Sequence, residues 1–147
     1  MSVKYSEQLN NVFTYSTQEA ERLGNAYVGP EHLLLGIFRE GNNRAVAVLM
    51  EMKVDVGNVK QKIEALVRTD KQPAGGEIPL LKSTEKIKKI MELEARSMSA
   101  EAADTEHLLL AILKDKNNLA VDVLNSEKLT YEKFLAHLSP INPSDIQ

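Results

Sequence analysis

The chain contains nearly the same motif twice, PEHLLLGIF at residues 30–38 and TEHLLLAIL at residues 105–113. The similarity extends past the motif: at an offset of 75 residues, Glu31–Leu49 and Glu106–Leu124 are identical at twelve of nineteen positions. Such self-similarity at a fixed offset indicates an internal duplication, in which each copy forms one structural unit. We therefore expect two halves with the same local structure.

Apolar residues at helical spacing, together with helix start and stop residues, divide each unit into four helices. In the first unit, Pro30 takes the first position of the second helix, which runs to about Glu40 and stops at Gly41. The second helix of each unit is apolar on too many sides to be exposed, so it should lie centrally. The remaining boundaries follow from Gly24, which ends the first helix, and from capping residues at Asn42, Asn43, Asp55, Ser83, Asp104, Asn118 and Thr130. The predicted fold class is all-α.

Two four-helix repeats should pack as one pseudo-twofold globular domain rather than as separate domains. A unit of about 65 residues buries only about 60% of its unfolded surface, whereas a body of about 150 residues buries about 68–70%. We place repeat one at about 5–68, repeat two at about 83–138, and a linker containing Pro and Gly at about 69–82. The domain thus covers residues 1–139, and residues 140–147 are expected to begin a linker to a further module.

The composition argues against several functional classes. The 147 residues carry a formal net charge of -3 and no cysteine, and 27% of them are charged. Such a surface does not attract a nucleic-acid backbone, and without cysteine there is neither a disulfide framework nor a thiolate metal site. No apolar run approaches the roughly 18 residues that span a bilayer, and residues 1–10 lack the features of a signal peptide. We therefore expect a cytoplasmic protein that binds neither nucleic acid nor membrane.

Residues 19–49, EAERLGNAYVGPEHLLLGIFREGNNRAVAVL, and residues 94–124, EARSMSAEAADTEHLLLAILKDKNNLAVDVL, resemble the Clp repeat. Two such repeats form the N-terminal domain of Clp-type AAA+ ATPases, and the ClpC branch is the most similar in its motifs. The resemblance covers nearly the whole chain, and the tandem Gly-x-Glu-His-x-Leu-Leu signature makes it specific. The second copy departs from the pattern at Ser99 and Asp104, where the first copy has glycine.

The resemblance implies a non-catalytic module that binds other proteins. In the family, this domain sits on a hexameric ATPase ring, receives substrate and adaptor proteins, and passes them toward a partner peptidase. ATP would belong to the ATPase module of the parent chain, because the 147 residues contain no G-x-x-x-x-G-K-[ST] motif. This part of the chain would need no cofactor and would be a monomer on its own. An alternative is a free-standing double Clp-repeat protein that acts as a small binding or regulatory module.

Glu31 and Glu106 each occupy the second position of a helix, where free backbone N–H groups and the positive end of the helix dipole collect. One interpretation is structural, since a carboxylate there contributes about 0.3 to 1 kcal/mol to helix stability. The other is functional: the carboxylate accepts a guanidinium group while adjacent N–H groups hold an anion. Both interpretations remain open from the residues alone.

The resemblance favours the functional interpretation. In ClpC proteins of some bacteria the matching glutamate of each repeat binds phosphoarginine on tagged substrates, which carries over to Glu31 and Glu106. The usual Gly-Thr before the glutamate becomes Gly-Pro in the first copy, which loses a hydroxyl at Pro30. The second copy keeps Thr105 but places the charge of Asp104 beside the same position.

His32 and His107 follow the two glutamates directly. Neighbouring residues on a helix point about 100° apart, so a Glu-His pair does not share a face, and no H-E-x-x-H motif occurs. We therefore expect no metal site and no catalytic residue, although a small hydrolase that uses the Glu-His pairs is a further alternative. Each histidine is expected to pack under the preceding loop and to hydrogen-bond backbone at the start of its helix.

Overall fold

The computed structural model describes residues 3–69 and 78–138. In these ranges the chain forms helices and no strand longer than an isolated bridge, which confirms the predicted all-α class. No helix there is both long enough and apolar enough to cross a membrane. The helices are α1 (Glu7–Arg22), α2 (Pro30–Glu40), α3 (Arg44–Glu51), α4 (Val56–Val67), α5 (Lys82–Ser97), α6 (Thr105–Lys114), α7 (Leu119–Ser126) and α8 (Tyr131–Leu138).

Polar side chains set the start of several helices, as predicted. Asn43, Asp55 and Asn118 each accept a hydrogen bond from the backbone N–H three residues further on. Asp104 accepts from the Thr105 N–H at 2.7 Å and so caps α6. These bonds satisfy N–H groups that the first turn of a helix leaves free.

The predicted cap of α5 is wrong. The helix begins at Lys82, so that Ser83 lies inside its first turn, and the capping position is taken by Leu81, which has no capping side chain. Instead, the Leu81 N–H donates to the Val28 carbonyl at 3.1 Å, and the Thr84 hydroxyl donates to the same carbonyl at 2.7 Å. A tertiary contact with the other repeat therefore holds this helix start.

Two isolated backbone bridges pair a chain segment of one repeat with a segment of the other. Before α1, the Ser6 N–H donates to the Ala103 carbonyl at 2.9 Å, and the Ala103 N–H donates to the Lys4 carbonyl at 2.7 Å. The segment before α5 pairs with the segment before α2 in the same way, through the Leu81 N–H and the Val28 carbonyl. An offset of 75 residues converts the Ser6–Ala103 pair into the Leu81–Val28 pair, which gives the two halves their pseudo-twofold relation.

The central helices are α2 and α6, as predicted. Every residue from Pro30 to Ile37 is buried, and so are Thr105 and all residues from His107 to Leu113. Helix α1 packs along α2 and α5 along α6, while α4 contacts α7 and α3 contacts α6 across the repeats. The buried apolar residues of both repeats form one cluster.

Two predicted segments fall mostly outside the described residues. The linker predicted at about 69–82 includes residues 70–77, and the linker start predicted at 140–147 lies within residues 139–147; neither of these stretches is described. The domain boundaries at these points stay predictions.

Ser99 takes a backbone conformation that the first repeat assigns to glycine. Gly24, 75 residues earlier, has φ 76°, and Ser99 has φ 55°. For a residue with a Cβ, this left-handed conformation costs roughly 1–2 kcal/mol. The duplicated turn is therefore retained in the second repeat in spite of the missing glycine.

The helix contact between α1 and α2 is closest at Gly36. A Cβ on Gly36 would lie 2.6 Å from the Val12 carbonyl oxygen and would also meet the Ser16 hydroxyl. The Ser16 hydroxyl already donates to that carbonyl at 2.7 Å. A backbone oxygen inside a helix cannot move aside without disturbing the helix.

Gly36→Ala should therefore destabilise the domain by about 1–3 kcal/mol, the usual range for overpacking a core. The measurement is the free energy of unfolding from urea titration followed by circular dichroism. Gly57→Ala is the matched control, because Gly57 is exposed on α4 and a Cβ there meets only the Asp55 side chain, at 3.4 Å. The control should be neutral or stabilising by up to about 1 kcal/mol. Equal effects of the two substitutions would contradict the close approach at Gly36.

Candidate functional site

The first predicted glutamate lines a cleft between the repeats. Glu31 is the second residue of α2 and is 6% exposed. The cleft has a volume of about 430 Å³ and lies where the start of α2 meets the end of α4 and the starts of α5 and α7. Its apolar lining consists of Tyr27, Pro30, Leu66, Val67, Leu81 and Leu119, and its neutral polar lining of Ser83, Asn117 and Asn118. Of the described residues that line it, only Glu31 carries a charge.

The environment of Glu31 disfavours its ionised form. Burial raises the pKa of Glu31 above its ordinary value, and a hydrogen bond from its own backbone N–H offsets part of that shift. The carboxylate folds back over Gly29, because a Cβ placed on Gly29 would lie 2.6 Å from Glu31 Oε1. Among the described residues, no basic side chain forms an ion pair with Glu31.

His32 holds the start of α2 to the loop before it. Its Nδ1 accepts from the Gly29 N–H at 2.8 Å, which leaves Nε2 to carry the proton and to donate to Asn25 Oδ1 at 2.6 Å. The Asn25 amide in turn donates to the Val67 carbonyl at the end of α4, at 2.8 Å. Burial lowers the pKa of His32 to about 4, so the ring is neutral at pH 7. Both ring nitrogens thus serve the fold.

The second glutamate has the same place in its helix but a different surrounding. Arg44 Nε, from the first residue of α3, lies 3.7 Å from Glu106 Oε2. The other oxygen, Oε1, is buried and has no hydrogen-bond partner among the described residues. Burial raises the pKa of Glu106 and its own backbone N–H lowers it, while Asp104 raises it further and Arg44 lowers it. Within residues 3–69 and 78–138, Glu106 therefore has a cation partner and Glu31 has none.

The cavity on this side has another character. It measures about 370 Å³ and is lined by Gln8, Asn42, Asn43, Arg44, Ala47 and Asp104, so that Arg44 rather than Glu106 forms its wall. Thr105 is buried, and its hydroxyl accepts from the Ala45 N–H at 3.2 Å, across the repeats. In the first repeat Pro30 stands where Thr105 stands in the second, so no hydroxyl can make the equivalent bond.

His107 makes the same backbone contact as His32. Its Nδ1 accepts from the Asp104 N–H at 2.9 Å, and burial lowers its pKa. The asparagine that binds the second nitrogen of His32 is replaced here by Ala100. In both repeats, therefore, the ring nitrogen next to the helix start is occupied by backbone. No group of three or more side chains suited to hold a metal ion occurs in residues 3–69 and 78–138.

The sequence predicted the glutamate at each site, but not the residues from other helices that lie beside it. The structure brings Pro30 and Glu31 into one cleft, but it places Glu106 and Thr105 behind Arg44 at a different one. The residues that were missed are Arg44 and its counterpart Leu119, together with Leu66 on the neighbouring helix. The signal for the first two was present, because Arg44 and Leu119 are one of the seven mismatches in the nineteen-residue duplicated segment.

Comparison with protein families matches residues 4–127 to the family described as “Clp repeat (R) N-terminal domain”. The chain belongs to this family. The Clp relatives include the chaperone protein ClpB of Oceanobacillus iheyensis, which is 32% identical over 133 residues. They also include the negative regulator of genetic competence ClpC/MecB of Bacillus subtilis, which is 29% identical over 133 residues. The resemblance noted in the sequence is thereby confirmed.

The Clp repeat domain described here is short relative to these proteins. It aligns over 88% of its own length with each of the two, and the aligned part is only 16% of their length. The Hsp104 N-terminal domain from Candida albicans has the same fold, with a TM-score of 0.78 at 15% identity over 96% of this chain and 93% of that chain. The comparisons therefore establish family and fold.

The neutral state of His32 makes the Clp repeat domain sensitive to acid. Because the pKa of His32 is about 4 in the folded state and ordinarily 6.5, the unfolded chain binds more protons between these values. The contribution of His32 therefore lowers the free energy of unfolding as the pH falls from about 6.5 to about 4. The melting temperature of His32→Gln should be lower than that of the wild type at pH 7, and the difference should shrink toward pH 4.

His137→Gln is the control for this measurement, since His137 is exposed on α8 and should leave the profile unchanged. A ring resonance of His32 that titrates near pH 6.5 in nuclear magnetic resonance would contradict the prediction.

Removing the charge of Glu31 should stabilise the domain at neutral pH. A raised pKa in the folded state means that stability is lost as the pH rises through the window above 4.5. Glu31→Gln keeps the shape and removes this cost, so its melting temperature at pH 7 should exceed that of the wild type, with a smaller gap at pH 4.5. Glu85→Gln, at an exposed position in the first turn of α5, should give no such increase. A lower melting temperature for Glu31→Gln at pH 7 would show that the carboxylate is structural.

Proposed function

We propose that this Clp repeat domain is the non-catalytic module that receives substrate and adaptor proteins for an ATP-dependent Clp unfoldase, which feeds a partner peptidase. The observation that carries the proposal is the cleft at Glu31. A buried carboxylate without an ion-pair partner in the described residues, set among apolar side chains, is unfavourable for stability and suited to a ligand.

The chemistry of the two glutamates supports a ligand with a guanidinium group. A carboxylate binds a guanidinium through paired, charge-assisted hydrogen bonds. Arginine and phosphoarginine both carry a guanidinium group. Glu31 and Glu106 are the residues proposed to contact it. Thr105, which is buried, is proposed to support the second site from behind, while Pro30, His32 and His107 hold the helix starts.

The two histidines support the non-catalytic part of the proposal. Each ring already accepts a hydrogen bond from backbone, and the pKa of each is lowered by burial, so neither is placed to exchange protons with the adjacent glutamate. The hydrolase alternative has no supporting geometry in the described residues. We place ATP in a separate ATPase module that assembles as a hexameric ring, and we propose that the isolated domain is a cytoplasmic monomer that binds neither nucleic acid nor membrane.

Tethering explains how weak binding would suffice. A domain held close to the pore of the ring converts the capture of a substrate into an intramolecular event, with an effective concentration in the millimolar range for a short flexible linker. Affinity for the isolated domain can then be low without loss of function. A free-standing binding protein would gain nothing from tethering, and the comparisons, in which the matching region is 16% of two much longer relatives, do not favour it.

The proposal predicts binding of unfolded protein at the glutamate clefts. We expect reduced, carboxymethylated α-lactalbumin, a permanently unfolded chain, to shift the backbone amide resonances of residues around Glu31 or Glu106 in the isotope-labelled domain. Free phosphoarginine and free arginine at millimolar concentration should shift the same resonances.

The double variant Glu31→Ala/Glu106→Ala provides the reference, in which these shifts should be reduced. Absence of any shift in the wild type with all three ligands would refute a receiving role. Shifts with α-lactalbumin that persist unchanged in the double variant would place the binding surface elsewhere on the domain.

A further inference from the structure

The two clefts are related by the duplication, yet they differ in the feature that a ligand would recognise. We infer that only the Glu31 cleft receives a ligand in the native domain. Its occupant is an extended peptide segment that carries an unmodified arginine or lysine next to apolar residues. This inference rests on the proposed function and specifies its site and substrate class.

The two sites differ in the charged groups that surround the glutamate. At the second site the chain itself supplies the cation, because Arg44 Nε lies 3.7 Å from Glu106 Oε2 and Arg44 lines the cavity. The residue 75 positions after Arg44 is Leu119, which lines the Glu31 cleft and brings no charge. Among the described residues, the Glu31 cleft thus has the same carboxylate without an internal cation. A basic side chain from outside would take the place that Arg44 takes at the other site.

The surface next to the Glu31 cleft is apolar. A groove of about 400 Å³ runs between α4 and α7, and Leu66 and Leu119 line both this groove and the Glu31 cleft. Ala65 and Val123 complete its apolar wall, and Leu66 is 62% exposed although it is a large apolar residue. Exposed apolar surface that continues into a site with a buried charge fits a chain that presents apolar and basic side chains in succession.

The charge of the Glu31 cleft favours an unmodified basic residue over a phosphorylated one. A phosphoryl group brings up to two negative charges into a cleft whose charged residue is Glu31, and no described residue lining that cleft is basic. A carboxylate and a phosphoryl group in the same small cavity repel each other. Arginine or lysine supplies only the positive charge that the cleft lacks.

Two end-blocked, fluorescein-labelled peptides test this inference, with arginine placed either before or after a Leu-Val-Leu run. Calorimetry and fluorescence anisotropy with the wild-type domain should give one binding site for at least one of the two peptides. Replacing the arginine by neutral citrulline or by phosphoarginine should weaken binding about tenfold or more, because Glu31 then loses its cation partner or faces a phosphoryl group. Replacing the run by Ser-Thr-Ser should weaken binding to a similar degree, because the groove loses its apolar partner.

The duplication supplies the matched variants. Leu119→Arg introduces at the first site the cation that Arg44 provides at the second, and it should abolish binding. Arg44→Leu makes the reverse change at the second site and should leave binding at the Glu31 cleft unchanged. Glu31→Gln should weaken binding about tenfold or more, whereas the exposed Glu85→Gln should not. Circular dichroism and melting curves establish that each variant is folded.

The outcomes distinguish this inference from the proposed function. Wild-type affinity in Leu119→Arg, or loss of binding in Glu106→Gln with retention in Glu31→Gln, would overturn the choice of the first cleft while leaving a receiving domain. Tighter binding of the phosphoarginine peptide would overturn the substrate class alone. No binding of any peptide, together with no response to unfolded α-lactalbumin, would remove both the inference and the proposed function.

Discussion

Each repeat supplies the backbone that positions the helix start carrying the Glu-His motif of the other repeat. The segment before α2 is held by the segment before α5 through Val28 and Leu81, and the segment before α6 is held by the segment before α1 through Ala103 and Ser6. Backbone hydrogen bonds of this kind are fixed in direction and leave little freedom to either partner. A single repeat would leave these groups unpaired as well as exposing one side of its central helix. The fold and both clefts therefore depend on the two repeats being packed together.

In the first turn of each central helix, the histidine stabilises the fold and the adjacent glutamate is the proposed ligand contact. His32 and His107 tie their turns to backbone, and each is neutral because burial lowers its pKa. The glutamates beside them gain from the helix dipole but lose more through burial, since the pKa of each is raised. The surroundings of Glu31 therefore favour the neutral form of its side chain. The histidine contributes the rigidity that allows the glutamate to be kept in an unfavourable environment.

The fold could be predicted largely from local signals, and the site could not. Caps at Asn43, Asp55 and Asn118 act through residues three positions away, so the sequence displays them directly. The cap expected at Ser83 failed because α5 begins at a backbone contact with Val28, which no local pattern reveals. The same limit applies to the clefts. Position 31 was identified from its motif, but Leu66 and Leu119 reach it from two other helices, and only the packing of α4 on α7 brings them there.

Duplication explains why the two sites differ while the scaffold does not. The histidine that ties each helix start to backbone occurs in both copies. The residues around the two glutamates differ between the copies, and so do the charged groups near each carboxylate. Thr105 and Arg44 connect the second site to the first repeat, through a bond to Ala45 N–H and an ion pair with Glu106. Pro30 and Leu119 can form neither contact. The second site thus contributes to the cohesion of the repeats, whereas the first places a carboxylate, without an ion pair among the described residues, at the end of an apolar groove.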